Sequence, residues 1–314
     1  MREKLPVLDS TYYVVQQSKH VTINKEAARQ MLLKGDVNSA WHPDLHIVEP
    51  DWIFVLDALN FCFWEDPGHP KWSVEYNGEE YSGYWALAAS LKRAYEEGVP
   101  LTNAEFLTTI SSKTVEKIFR GKQTIPLFQY RVNHLRELGE VLLEKYDGTF
   151  VNVLQQARQS AVALVNEVVK NFPSFNDVAV YEEQTVYFYK RAQLLVSDLY
   201  GAFEGEGYGD FYDLDELTIF ADYKLPQVLR HYRVLEYDDY LSNLVDQYVR
   251  FAPGSPEEVE IRAATVQAVE MMRQSLTNGQ RTIPAFKLDW WLWTLGQDDT
   301  VREKPYHRVR SPFY

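Results

Sequence analysis

Two aspartates lie in aromatic surroundings that could give a carboxylate a chemical task. Asp289 stands beside three tryptophans in Lys287–Trp293 (KLDWWLW), and Asp222 lies in Phe220–Gln227 (FADYKLPQ). Burial against aromatic rings raises the pKa of a carboxyl group and strengthens its field on a nearby cation. A structural interpretation is open for both, because aspartate commonly caps the first turn of a helix. Asp289 would then cap a helix beginning at Trp290, and Asp222 would either cap the next helix or read the donor edge of a base.

A pair of adjacent cations follows a third aromatic run. Lys190 and Arg191 lie in Tyr187–Gln193 (YFYKRAQ), at the expected junction of a strand and a helix. Adjacent cationic side chains at such a junction could hold a phosphate group. The competing interpretation is a Lys-Arg pair exposed to solvent.

The sequence gives little basis for a metal or cofactor site. Cys62 is the only cysteine, and the seven histidines are scattered. Only His42 and His46 share a helical spacing, and Pro43 between them disfavours a helix. The phosphate-binding loop, dinucleotide, GxSxG and HExxH motifs are absent from the sequence. We therefore expect neither a metal nor a cofactor.

Composition narrows the class of ligand. The 314 residues carry 32 basic and 45 acidic side chains, a net charge of −13, which makes the chain a poor binder of long nucleic acid. Aromatic residues make up 14% of the chain, which indicates a large aromatic core or a pocket for a flat ligand. We find no signal peptide and no apolar run long enough to span a membrane, so we expect a soluble, cytoplasmic protein.

Helical patterns dominate the elements that must position these residues. Asn24 predicts the start of a helix that ends at Gly35, and Ser255-Pro256 predicts the start of another that runs to about Leu276. Thr102 and Glu105 fit a capping box. Two further helices are predicted over 131–145 and 149–170.

Extended patterns are few and short. Trp72–Gly83 surrounds the pair Asn77-Gly78, the strongest short hairpin signal, and Val178–Tyr189 is rich in β-branched and aromatic residues. No repeat and no flexible linker interrupts the chain. The sequence predicts a single, mainly α-helical domain over residues 1–314 with small β-hairpins.

Several sequence blocks, taken together, resemble those of a known family, the queuosine salvage proteins, which are queuosine 5′-phosphate N-glycosylases. The resemblance covers nearly the whole chain. The blocks are Asp57–Trp64, Tyr81–Leu87, Phe188–Asp198, Phe220–Leu229, Glu258–Arg262, Leu288–Trp293 and Pro305–Arg310.

The resemblance implies a fold similar to the helix-hairpin-helix DNA glycosylases, a helical bundle. In those enzymes a catalytic aspartate precedes a helix and is followed four residues later by an apolar or aromatic residue, a spacing that Asp289 and Trp293 share. Phe220–Leu229 falls roughly where the hairpin would lie but lacks its glycine-rich turn. DNA binding through that segment is therefore not expected.

The resemblance also implies an activity, the release of queuine from queuosine 5′-monophosphate for salvage into tRNA. Asp289 and Asp222 are the predicted catalytic residues: Asp289 would stabilise positive charge on the sugar, and Asp222 would bind the pyrimidine edge of the base. We expect Phe220 and Trp290 to stack on the base or form a wall beside it, and Tyr223 to bind the substrate.

The remaining predicted substrate-binding residues are basic. His42 could contact the base or its cyclopentene substituent. Lys190 is the leading candidate for the 5′-phosphate, with Arg191 and the pair Arg230-His231 behind it. The partners implied are this nucleotide and queuine, without long nucleic acid or membrane, and the sequence leaves the oligomeric state open.

Two other functions stay open at this level. One is a non-catalytic carrier of queuine or its nucleotide that uses the same aromatic pocket. The other is a DNA-repair glycosylase, which rests on the implied fold alone.

Overall fold

Helices make up most of the chain in the computed structural model, which describes residues 3–35, 37, 41, 45–276 and 283–314. The α-helices of these residues are α1 (Val7–Gln17), α2 (Lys25–Lys34), α3 (Pro50–Ala58), α4 (Tyr84–Glu96), α5 (Ala104–Thr108), α6 (Ser112–Ile118), α7 (Phe128–Lys145), α8 (Phe150–Ala157), α9 (Ala161–Asn171), α10 (Lys190–Ala202), α11 (Lys224–His231), α12 (Asp239–Asp246), α13 (Pro256–Leu276), α14 (Ala285–Leu295) and α15 (Asp299–Arg302). The prediction of a mainly α-helical protein is confirmed.

The strands of the described residues form four two-stranded sheets. They are β1 (Val21–Ile23), β2 (Ser73–Tyr76), β3 (Glu79–Ser82), β4 (Val178–Tyr181), β5 (Gln184–Tyr187), β6 (Leu235–Tyr237), β7 (Arg250–Phe251) and β8 (Arg308–Val309). β2–β3 and β4–β5 are the two predicted hairpins. Sequence analysis did not predict the other two sheets, antiparallel β1–β6 and parallel β7–β8, because their partners are far apart in the chain.

The chain divides into two compact units. The first is drawn from residues 1–41, 177–193 and 213–310, and the second from residues 42–176, 194–212 and 311–314. This division does not test the prediction of a single domain over 1–314, which stays a prediction.

Helix α13 forms the core of the first unit. Every residue from Glu258 to Val266 is buried, and the helix packs against α1, α2, α11 and α14. A helix that is buried on all sides must find internal partners for its charged side chains. The charged groups of α13 are therefore expected to bind other segments of this unit.

An aromatic cluster fills the second unit beside α3. The ring of Phe54 stacks on Phe150 with centroids 4.1 Å apart and on Phe175 with centroids 5.4 Å apart. Arg131 of α7 is fully buried and donates to the carbonyl oxygens of Leu59, Phe61 and Cys62, which fixes the chain that leaves α3.

Several predicted helix ends are confirmed. The Asn24 side chain accepts a hydrogen bond from the Ala27 amide at 3.0 Å, and α2 ends before Gly35. Helix α13 begins at Pro256, with the Ser255 hydroxyl accepting from the Glu258 amide at 3.4 Å. Helix α7 contains the predicted 131–145 and begins three residues earlier, at Phe128.

Two predicted helix ends are wrong. The segment 149–170 is two helices, because Arg158 and Gln159 have positive φ and Ser160 caps α9. The cap of α5 is Asn103, whose side chain accepts from the Phe106 amide, and not Thr102. No described helix is both long and apolar enough to cross a membrane.

Candidate active site

Asp289 lies inside helix α14 and does not precede it. The helix begins at Ala285, directly after Pro284, so the predictions that Asp289 caps a helix beginning at Trp290, or stands before a helix, are wrong. The buried residues Ala285, Leu288, Asp289 and Leu292 recur at helical spacing, which extends the helical pattern ahead of Asp289. The Asp289 side chain therefore lies on the same buried face of α14 as these apolar residues and is only 5% exposed.

The Asp289 carboxylate holds the segment that carries the second aspartate. Its Oδ2 accepts a hydrogen bond from the backbone amide of Phe220 at 3.0 Å, a contact buried on both sides. Phe220 is 2% exposed and Asp222 follows two residues later. The structure thus brings the two predicted catalytic residues into one neighbourhood.

Asp222 makes its hydrogen bonds to described residues through one carboxylate oxygen. Its Oδ1 accepts from the amides of Lys224 at 2.7 Å and Leu225 at 2.9 Å, so the capping interpretation is confirmed for that oxygen. The hydrogen bonds that Asp222 makes to described residues all fall on Oδ1, and the residue is partly exposed. Burial raises the pKa of Asp222, and the nearby charge of Lys190 is the largest opposing influence on that pKa.

Lys190 and Arg191 are both buried, at 7% and 1% exposure, so the interpretation as a solvated pair is wrong. Lys190 is the first residue of α10, and its backbone amide donates to Oδ2 of Asp177 at 3.3 Å. Asp177 also pairs with Arg262, which donates to the carbonyl oxygen of Ala221, so hydrogen bonds link the start of α10 to the segment of Asp222. We call Asp289, Phe220, Asp222 and Lys190 the candidate site.

The other predicted aromatic residues lie beside these four. Tyr223 is buried, and its ring centroid lies 5.0 Å from that of Tyr306. Trp290 is partly exposed, and its centroid lies 5.1 Å from that of Phe286. A partly exposed tryptophan next to Asp289 can offer a ring face to a flat ligand.

The structure does not bring Arg230 and His231 to the candidate site through any described contact. Arg230 makes a double ion pair with Asp246 at 2.7 and 3.0 Å, and its guanidinium lies 4.9 Å from the Tyr237 ring. Both residues lie in the last turn of α11, and six residues of helix place Arg230 about 9 Å beyond Lys224. His42 lies outside the described residues.

Sequence analysis missed the buried polar network that supports these segments. Arg262 of α13 donates to both carboxylate oxygens of Asp177 and to the carbonyl oxygen of Ala221. Gln193 is fully buried and bonds both Thr218 and the carbonyl oxygen of Phe188. The only sequence signal was the block Glu258–Arg262, which carries charges on two opposite faces of a helix, Glu258 and Arg262 on one and Glu260 on the other.

No metal site emerges from the described part of the chain, where no group of three or more histidine, cysteine, aspartate or glutamate side chains could hold an ion. The chemistry that this geometry supports is that of a carboxylate enclosed by apolar side chains. Such a group stabilises a positive charge that develops close to it.

Comparison with known proteins identifies relatives along the full length. The chain is 47% identical to the queuosine 5′-phosphate N-glycosylase/hydrolase of Sphaerobacter thermophilus, over 99% of this chain and 98% of that protein. It is 36% identical to the proteins of the same name from Mus musculus and from Dictyostelium discoideum, in each case over 98% of both chains. The profile of the queuosine salvage protein family matches residues 42–314, and the chain therefore belongs to that family.

Proposed function

We propose that the chain hydrolyses the N-glycosidic bond of queuosine 5′-monophosphate and releases queuine. Family membership and the names of the full-length relatives support this activity. The single structural observation that carries the proposal is the buried carboxylate of Asp289, bonded to the segment that holds Asp222.

The reaction breaks the bond between the ribose C1′ and the base, and positive charge develops on the sugar as the bond lengthens. The Asp289 carboxylate stabilises that charge from a site that excludes most water, where its field is strongest. Water supplies the hydroxyl group that bonds to C1′, and the remaining proton goes to the departing base. Asp289 can also orient that water.

The base limits how the leaving group is activated. Queuine has carbon at the position of purine N7, so protonation there is not available, and assistance must come from the pyrimidine side. We assign to Asp222 the recognition of that edge through Oδ2, and this role is supported by its hydrogen bonds to described residues, which occupy Oδ1. As an acceptor, Asp222 would orient the base and would not protonate it. Phe220, Tyr223 and Trp290 provide the aromatic surfaces around the base.

The 5′-phosphate requires positive charge inside an acidic protein. We assign this charge to Lys190, a buried cation at the first residue of α10, whose segment is linked to that of Asp222 through Asp177 and Arg262. Arg230 is a weaker candidate, because Asp246 already neutralises its guanidinium.

The direct test is incubation with queuosine 5′-monophosphate followed by chromatography for free base. Release of many molecules of queuine per molecule of protein supports the proposal. Binding of the nucleotide without release would instead support the carrier, and the same assay with Asp289→Asn controls for a contaminating hydrolase. Release of a base from duplex DNA would favour the repair glycosylase.

A further inference from the structure

Arg262 joins three segments of the first unit through one guanidinium group. Its Nε donates to the carbonyl oxygen of Ala221 at 2.9 Å, and Nη1 and Nη2 donate to the two oxygens of Asp177 at 3.0 and 2.5 Å. The guanidinium carbon also lies 3.9 Å from the centre of the Phe188 ring. Arg262 and Asp177 form a buried ion pair, with only 3% of each side chain exposed.

Asp177 extends these contacts to the start of α10. Its carbonyl oxygen accepts from the amides of Phe188 and Tyr189 at 3.0 and 3.1 Å, and its Oδ2 accepts from the amide of Lys190 at 3.3 Å. Tyr189 has a φ of 50°, a conformation that a tyrosine keeps only when its surroundings hold it there. The Arg262–Asp177 pair therefore fixes the backbone from which Lys190 projects.

The contact with Ala221 acts on the other side of the candidate site. Ala221 lies between Phe220 and Asp222. The amide of Phe220 donates to Asp289, and Oδ1 of Asp222 accepts from the first amide of α11. Fixing the Ala221 carbonyl sets the direction of the backbone that carries Asp222. We infer that Arg262 is a positioning residue, which holds Asp222 in the position that binds the queuine base; this inference rests on the proposed function.

Only arginine can make this set of contacts. Its planar guanidinium binds a carboxylate with two parallel hydrogen bonds while Nε points to a third acceptor, whereas a lysine ammonium is a single point charge. Arg262→Lys thus keeps the charge beside Asp177 and loses the geometry. The chain also offers a matched control on the same helix, because Arg273 binds both oxygens of Glu270 at 2.7 Å.

The experiment measures queuine binding by calorimetry in Arg262→Lys, in Arg273→Lys and in each combined with Asp222→Asn. We expect Arg262→Lys to weaken binding at least tenfold at unchanged stoichiometry, and Arg273→Lys to change it by less than a factor of about two. In the Asp222→Asn background, Arg262→Lys should weaken binding by less than about threefold, because residues that act as one unit are not additive.

Support that is merely structural gives a different result. The inference would be overturned if Arg262→Lys weakened queuine binding by the same factor in the presence and in the absence of the Asp222 carboxylate. A loss of binding stoichiometry with an unchanged Kd would also overturn it. If Arg262→Lys does not fold, Asp177→Asn tests the same step, since it removes the charge that fixes the guanidinium, and an unchanged Kd there also overturns it. The wild-type base-release assay stands apart: an inactive wild type contradicts the proposed function, and an active wild type with an unaffected Arg262 variant contradicts only the positioning role.

Discussion

At the scale of single residues, the two carboxylates of the candidate site lie in different surroundings. Asp289 is buried within α14 and accepts from a backbone amide, whereas Asp222 is a partly exposed residue whose hydrogen bonds to described residues all fall on Oδ1. A buried, fixed charge suits the proposed stabilisation of a cationic transition state, and a partly exposed carboxylate suits the proposed recognition of the base. This difference allows the two roles to be separated by experiment.

Asp289→Asn should slow base release by about 10²–10³ while queuine still binds. The amide oxygen of asparagine can still accept from Phe220, so the segment stays in place, but the negative charge is lost. Loss of a preorganised electrostatic group costs about 10²–10³ in kcat. Single-turnover hydrolysis and calorimetry with queuine measure the two effects, and unchanged turnover would remove Asp289 from the mechanism.

Lys190→Ala should impair the phosphorylated substrate much more than the free nucleoside. The ammonium group would pair with the phosphate dianion, which the nucleoside lacks, and charge-assisted hydrogen bonds are about twice as strong as neutral ones. The ratio of kcat/KM for nucleotide and nucleoside, measured in wild type and variant, gives the contribution of Lys190 to phosphate binding. Equal losses on both substrates would refute that contribution.

Queuine binding should weaken as the solution is acidified, with a midpoint above the ordinary range of aspartate. Burial raises the pKa of Asp222, and its ionised form is the one that accepts from the base, so affinity is lost as pH falls through that raised pKa. Lys190→Met should move the midpoint further up, because the lysine charge lowers the pKa. Binding curves against pH that stay superimposable in Asp222→Asn and wild type would exclude Asp222 as the titrating group.

At the scale of elements, the site depends on how α14 docks within the first unit. Helix α14 packs against α11 and α13, so the helix that carries Asp289 touches both the helix that follows Asp222 and the one that carries Arg262. Trp291, two residues after Asp289, is 5% exposed and lies against Gly35 at the end of α2. Close packing at that point leaves no room for a side chain.

Gly35→Ala should therefore destabilise the protein and displace Trp291. A methyl group at position 35 would lie 2.2 Å from the Trp291 ring, too close for any real contact. Overpacking of this kind costs about 1–3 kcal/mol. Urea unfolding measures the change in the free energy of unfolding. The second substitution Trp291→Phe shortens the ring and should remove most of the penalty; a penalty that persists in that background would contradict the steric explanation.

The elements show which parts of the structure a sequence can predict. Hairpin β2–β3 follows from Asn77-Gly78, a local signal, and α2 and α13 follow from local capping residues. The break between α8 and α9 depends on two left-handed residues that helical periodicity does not reveal. The position of Asp289 within α14 was mispredicted because an aspartate before an apolar run resembles a cap.

The candidate site was predictable only where the signal lies within a short segment of the sequence. Aromatic neighbours mark Asp289 and Asp222 in the sequence, because apolar rings remove a carboxylate from water and carboxylates are rarely buried without a partner or a function. Arg262 and Asp177 are far apart in the chain, and nothing local in their segments indicates that they pair. Arg230 has the right charge for phosphate, but its partner Asp246 becomes evident only in the folded chain.

At the scale of the whole molecule, net charge distinguishes the proposed function from the alternative function, a DNA-repair glycosylase. The chain carries 32 basic and 45 acidic residues, a net charge of −13. Binding to duplex DNA gains most of its free energy from counterions released when basic side chains neutralise phosphates. A single mononucleotide needs only a local cation, which Lys190 can supply, whereas a duplex needs a broad basic surface.

We accordingly expect no complex with duplex DNA at physiological salt. Even non-specific DNA-binding proteins reach dissociation constants of about 10⁻⁴–10⁻⁶ M under these conditions, so a gel shift with protein at about 10⁻⁵ M separates the two classes. The control is queuine release by the same preparation, which shows that the protein is active when it fails to bind. A shift that weakens steeply with added salt would contradict this expectation, because that dependence requires many lysine or arginine contacts with phosphates, and it would restore the DNA-repair glycosylase as a function for this chain.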